Sequence, residues 1–103
     1  MHAMLITFTS EANLADLKEP FADYASGLRS VDGLVYKTWI RDGKTLGGFH
    51  VFTSRNAAER YLASDMVAGL TGTPAFSDFE IRHWVVLEEL SAMTRTPQLA
   101  SAS

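Results

Sequence analysis

Two of the three histidines, His50 and His83, stand in apolar, β-rich runs: Thr45–Phe52 (TLGGFHVF) and residues 79–87 (FEIRHWVVL). Imidazole is the side chain that changes charge near neutrality without help, so these two are the candidates for proton transfer. No Ser-His-Asp spacing, phosphate-binding glycine loop or carboxylate pair competes with them. His2, His50 and His83 form no i,i+4 pair and have no carboxylate at ligand spacing, so no metal site is expected. The pair Gly47-Gly48 precedes His50, and glycine weakens a strand interior unless something needs the space. One explanation is a bulge or a close backbone approach; the other is a gap beside the imidazole for a flat guest. Plainer roles stand beside the chemical ones elsewhere too. A strand histidine can be a satisfied core residue, Trp39 and Trp84 can be core, and Lys37 and Arg82 can simply reach solvent along a sheet.

The elements that must position these residues follow from hydrophobic spacing. Residues 4–9 (MLITFT) read as a first strand. Ser10 is a candidate N-cap, and Leu14, Leu17, Phe21, Tyr24 and Leu28 recur at spacings of three and four, an apolar helical stripe. Pro20 inside that stripe removes an i→i−4 bond, so the helix should kink or restart there. Residues 34–41 (LVYKTWIR) read as a second strand. Asp42-Gly43 is a two-residue hairpin signal, and a third strand runs over 44–52. Thr53 or Ser54 caps a second helix from Arg55 to about Ser64, with Ala58, Tyr61 and Leu62 inward. Residues 65–73 make a further helical turn ended by Gly72 and Pro74, and 79–87 form the last strand. Residues 1–90 thus make one domain, and 91–103 (SAMTRTPQLASAS) a polar tail, mobile or an arm.

The order β-α-β-β-α-β predicts a ferredoxin-like α+β fold with both helices on one sheet face. Yet the strands are apolar on both faces: Phe79, Ile81 and Val85 alternate with Trp84 and Val86, and Tyr36 and Ile40 with Val35 and Trp39. Two helices cover one face only, so the other is expected to meet a second copy, giving a homodimer. With Asp42-Gly43 as the turn, counting outward pairs Trp39 with Leu46, Lys37 with Gly48 and Val35 with His50. Trp39, Gly48 and His50 then share one face, with a gap at Gly48 between the indole and the imidazole.

Composition narrows the partners. The chain has 103 residues, 47% apolar and 20% charged, with twelve acids against nine bases and no basic run, so nucleic acid is not an expected partner. No stretch is apolar enough to span a membrane, and no leader pattern opens the chain. The absence of cysteine excludes disulfides and thiolate chemistry and suits a cytoplasmic protein.

The run Asp32-Gly-Leu-Val-Tyr-Lys-Thr-Trp39, then Gly47-Gly-Phe-His-Val-Phe-Thr53, then Ala57-Ala-Glu-Arg-Tyr-Leu62 resembles the YdhR-like monooxygenase family. That family lies within the dimeric α+β barrel superfamily and is related to the antibiotic-biosynthesis monooxygenases. Its pattern is Pro-Gly-Phe/Leu, an aromatic, Lys, any residue and Trp, then Gly-Gly-aliphatic-Tyr-aliphatic-Phe-Thr before a helix with Ala-x-x-Tyr-Leu. Here Asp32 replaces the proline, His50 stands where tyrosine is common, and the hairpin loop is shorter. The resemblance covers residues 1 to about 90. It implies a homodimeric barrel and a monooxygenase that needs no cofactor, neither metal nor flavin, and oxidises a phenolic or polycyclic aromatic. On that expectation His50 or His83 is the base and Arg82 stabilises the anion. Tyr36, Trp39, Phe52, Tyr61 and Trp84 line the substrate pocket. Two alternatives use the same fold: a non-catalytic binder of a hydrophobic small molecule, or an oxygen-independent lyase or isomerase.

Overall fold

In the computed structural model, which describes residues 1–94, eight elements follow one another. They are β1 (His2–Ser10), α1 (Leu14–Leu28), β2 (Leu34–Asp42), β3 (Thr45–Phe52), α2 (Arg55–Leu62), α3 (Asp65–Thr71), β4 (Phe76–Val85) and α4 (Glu88–Met93). The strands form one sheet in the order β2-β3-β1-β4, and every neighbouring pair is antiparallel. β1 and β2 run parallel with β3 inserted between them, and β3 and β4 with β1 inserted. This is the expected split βαβ arrangement, a ferredoxin-like α+β fold.

Strand alternation decides what meets the helices. Met4, Ile6 and Phe8 of β1 point inward with their cross-strand partners His50, Gly48 and Leu46 of β3. Two apolar clusters form beneath the helices. One gathers Met4, Ile6, Phe52, Ala58, Tyr61 and Leu28; the other gathers Phe8, Leu17, Leu46 and Phe76. The opposite face carries Ala3, Tyr36, Phe49, Val51 and Trp84 around a concavity of about 500 Å³ edged by α4. Trp84 is half exposed there. Among the described residues no helix is long and apolar enough to cross a membrane.

Several boundaries differ from the sequence expectation, each for a local reason. The hairpin turns on Gly43-Lys44, with Gly43 at φ +60°, so Trp39 pairs with Gly48 and Lys37 with His50. That slides the expected register by two residues. Because the slide is even, Trp39, Gly48 and His50 keep the shared face. The irregularity in this pair lies at Val35, between Leu34 and Tyr36, and not at the glycines. Asn13 precedes α1, whereas Ser10 ends β1 and its hydroxyl accepts from the Ala12 amide at 3.1 Å. The helix is continuous through Pro20. Ser54 caps α2, accepting from the Ala57 amide at 3.1 Å, as expected of one of the two candidates.

β4 begins at Phe76, three residues early, because its pairing with β1 shifts by one beside Asp78, whose φ is +56°. The shift puts Phe76 and Phe79 on the same side, and both rings meet Phe8, at 4.6 and 5.0 Å between centroids. Helix α4 runs on to Met93, past the expected start of the tail at 91. Glu88 and Glu89 sit in its first turn, where the helix dipole favours them. The rest of the expected tail, 95–103, lies outside the described residues.

The two glycines of β3 do different things. A Cβ on Gly47 would stand 2.1 Å from the Ile6 carbonyl oxygen and 3.0 Å from Thr7 Cα, both main-chain atoms of the neighbouring strand. A Cβ on Gly48 would meet the end of the Lys37 side chain at 2.3 Å. Backbone cannot step aside as a lysine can. Gly47→Ala is therefore expected to destabilise the fold by roughly 2–3 kcal/mol, read as a lower urea midpoint, with Gly48→Ala costing clearly less. Equal midpoints for the two variants would contradict the close approach.

Candidate active site

Between the two apolar clusters, on the helix side of the sheet, lies a partly open cavity of about 210 Å³. Its floor is sheet: Ile6, Phe8, Leu46, Gly48 and His50. Phe21 and Tyr24 of α1, Tyr61 of α2 and Leu70 of α3 supply the roof, and Lys37 and Trp39 of β2 the side wall. The lining is mostly apolar, and the polar groups in it are few and specific, as in small-molecule sites generally.

His50 is 1% exposed, and its Nδ1 lies 3.1 Å from the Met4 carbonyl oxygen. A carbonyl only accepts, so Nδ1 carries the proton and Nε2 keeps a lone pair. That Nε2 is buried and has no hydrogen-bond partner among the described residues. Burial, and then the nearby Lys37 charge, lower the His50 pKa to about 4, against the opposing pull of the Met4 and Gly48 carbonyls. The imidazole is neutral at pH 7.

Lys37 has its own peculiarity. Its Nζ sits 3.5 Å from the centre of the Trp39 ring and 5.1 Å from that of Tyr24. Burial lowers its pKa to about 8. The Lys37 Cε and His50 Cε1 both come within 3.0 Å of the point where a Gly48 side chain would begin. Gly48 thus clears the ground on which lysine and histidine meet. Above them the Tyr24 and Tyr61 hydroxyls share a hydrogen bond of 2.6 Å, and burial raises both phenol pKa values, so both stay protonated.

The residues expected from sequence divide sharply. His50, Trp39 and Tyr61 line this cavity. Phe52 is fully buried behind His50, ring parallel at 6.1 Å, and supports the site without lining it. His83 is on the same sheet face but one strand too far: Met4 of β1 pairs with His50 on one side and His83 on the other. There His83 Nδ1 lies 2.7 Å from His2 Nε2, and burial followed by the charge of His83 lowers the His2 pKa. Arg82, Trp84 and Tyr36 point to the opposite face, with the sheet between them and His50, and the structure does not bring them to this cavity. Sequence reasoning missed Lys37, Tyr24 and Phe21 as lining residues. Lys37 was detectable in principle, since turning the hairpin one residue later places it opposite His50. Among the described residues no group of three or more His, Cys, Asp or Glu could hold a metal ion.

A four-stranded antiparallel sheet with α1, α2 and α3 on one face and an apolar cavity beneath them is a ferredoxin-like arrangement, the fold of the antibiotic-biosynthesis monooxygenases. Solved structures bear this out. SnoaB from Streptomyces nogalater, a cofactor-independent oxygenase, superposes with a TM-score of 0.67 at 22% identity, over 82% of this chain and 91% of its own. An antibiotic biosynthesis monooxygenase gives 0.69 at 11% identity, over 84% and 99%. A mutant of MhuD with two manganese protoporphyrin IX molecules bound per active site gives 0.65 at 13% identity, over 84% and 95%. At these identities the likeness speaks for the fold. No curated protein sequence matches the chain. The family model described as "Putative mono-oxygenase ydhR" matches residues 4–97, and the chain belongs to that family.

The displaced titration of His50 has a consequence for stability. Its folded-state pKa is about 4 and the reference value 6.5. Between these values the unfolded chain takes up a proton that the folded chain refuses. The His50 contribution is therefore fully present above pH 6.5 and is lost as pH falls toward 4, by on the order of 3 kcal/mol. Denaturation midpoints of the unmodified protein should fall across that window, and those of His50→Phe should fall less. Parallel profiles would contradict the burial of a neutral imidazole.

Proposed function

We propose that this protein is a cofactor-independent monooxygenase acting on an electron-rich phenolic or polycyclic aromatic held in the His50–Lys37–Trp39 cavity. The observation that carries the reading is the buried, neutral, partnerless Nε2 of His50 beside an unpaired Lys37 in an apolar pocket. Family membership and the fold shared with SnoaB support it.

The chemistry follows from the substrate's own electrons. As a ring hydroxyl gives its proton to His50 Nε2, the oxyanion that develops is stabilised by the Lys37 ammonium, in surroundings dry enough to strengthen that attraction. The electron-rich anion passes an electron to dioxygen, and the two radicals recombine at a ring carbon. Where that carbon is a CH₂, one oxygen atom stays as C=O. The other leaves as water with the two hydrogens, so no external reductant is required. His50 starts as a weak base, but an anion formed beside it raises its proton affinity.

We further propose that the working unit is a homodimer packed through the open sheet face. Support comes from the apolar concavity formed there by Ala3, Tyr36, Phe49, Val51 and Trp84. Light scattering should then give twice the chain mass of 11.3 kDa, and Trp84→Asp should shift the protein toward monomer, since an unpaired charge buried at an interface costs several kcal/mol. A folded monomer at micromolar concentration would refute this assembly.

Oxygen uptake with anthrones and naphthols tests the chemistry. His50→Ala should lower kcat by on the order of 10²–10⁴, and His50→Phe, which fills the space, should remain folded and inactive. A fully active His50→Phe enzyme would remove His50 from the proton path. Tight binding without oxygen uptake would favour a ligand carrier, and product formed without oxygen an isomerase or lyase.

A further inference from the structure

Two polar groups of the cavity, the half-buried Lys37 and the buried His50, lack a hydrogen-bonding or charged partner, and they are neighbours. Lys37 makes no ion pair or hydrogen bond among the described residues, and its ammonium rests on the Trp39 ring instead. His50 Nε2 is likewise unpartnered in a side chain 1% exposed. Leaving such groups unsatisfied in an apolar setting is costly, so a guest that partners them, reaching His50 Nε2 by a small adjustment of the lining, gains from both. Their needs are complementary. Lys37 offers a positive charge and only donors. His50, with Nδ1–H engaged by the Met4 carbonyl, offers only an acceptor. Lys37 Cε and His50 Cε1 lie 2.3 and 3.0 Å from the same point above Gly48, and the two residues are cross-strand partners, so one small molecule lying there can address both side chains.

No carboxylate lines the cavity, so nothing already present neutralises Lys37 there. The walls beside it are aromatic, Trp39, Tyr24 and Phe21, with Phe21 and Tyr24 at 5.1 and 6.2 Å from Trp39 between ring centres. An uncharged arene would fill the walls and leave both polar groups unsatisfied. A single phenolate would answer Lys37 but bring no proton to His50. A dianion would set a second charge against the imidazole lone pair.

We infer that the site takes a flat aromatic monoanion with an un-ionised hydroxyl next to the ionised oxygen, as in a catecholate or a peri-dihydroxy arene, the O⁻ facing Lys37 and the O–H donating to His50 Nε2. This rests on and deepens the proposed function by naming the substrate class of the same cavity. The pairing also divides the labour there. Lys37 holds the first charge in place on binding. Transfer of the second hydroxyl proton to His50 then yields the doubly ionised, more strongly reducing ring.

Calorimetric titration under argon, with no turnover, tests it with four probes of nearly one shape: 2,3-dihydroxynaphthalene, its monomethyl ether, 2-naphthol and 2,3-dimethoxynaphthalene. The diol is expected to bind at least about tenfold tighter than the monomethyl ether or 2-naphthol, roughly the net worth of one hydrogen bond. Lys37→Met and His50→Phe should each shrink that preference below about threefold. Four equal affinities, no binding at all, or a diol preference that survives either substitution would overturn the inference. The ligand series on the unmodified protein decides alone if a variant does not fold. Admitting air afterwards separates the two readings. A diol preference without oxygen uptake leaves this inference standing and sinks the oxygenase. Oxygen uptake without a diol preference does the reverse.

Discussion

The cavity depends on one cross-strand pairing, Lys37 of β2 against His50 of β3, made possible because Gly48 leaves the ground between them bare. An ammonium and an imidazole would ordinarily keep apart, and neither gains from the other: the lysine charge pushes the histidine pKa down. What holds them together is everything around them. Strand register fixes the two Cα positions, Trp39 gives the ammonium a face to rest on, and Met4 takes the Nδ1 proton. The juxtaposition is thus a strain the fold tolerates, and tolerated strain of this kind is characteristic of functional sites.

Met4 shows how far the central strand governs the chemistry. Its side chain is fully buried in the core, its carbonyl sets the His50 tautomer, and its position in β1 separates His50 from His83. Two histidines that look equivalent along the chain therefore belong to different surroundings. One stands in a ligand-sized cavity; the other is joined to His2 near the β4 edge of the same sheet face. Reactivity here is assigned by topology, since the insertion of β1 between β3 and β4 decides which imidazole the helices enclose.

Much of this was legible in the amino-acid pattern. The β-α-β-β-α-β order, the double-faced sheet and the common face of Trp39, Gly48 and His50 follow from periodicity, because side-chain alternation survives any even slip in pairing. What could not be read was the slip itself. Asp42-Gly43 and Gly43-Lys44 are both acceptable two-residue turns, and only the second sets Lys37 opposite His50. Arg82, Trp84 and Tyr36 were attractive by residue type, but their face depends on each strand's phase relative to the helices. The bulge beside Asp78 hid the first residues of β4 for a related reason: it breaks the alternation by which a strand is recognised.

The bond between the Tyr24 and Tyr61 hydroxyls ties α1 to α2 directly above the cavity. Helix α1 otherwise approaches the sheet through side chains such as Leu17, Phe21 and Leu28, which pack without fixing a height. The phenol pair works as a strut of set length: two rings and one short hydrogen bond determine how far the roof stands from the floor. A purely greasy contact would let that distance drift with whatever lay beneath. With the strut in place the chamber has a thickness of its own, and selection among guests begins with how flat they are.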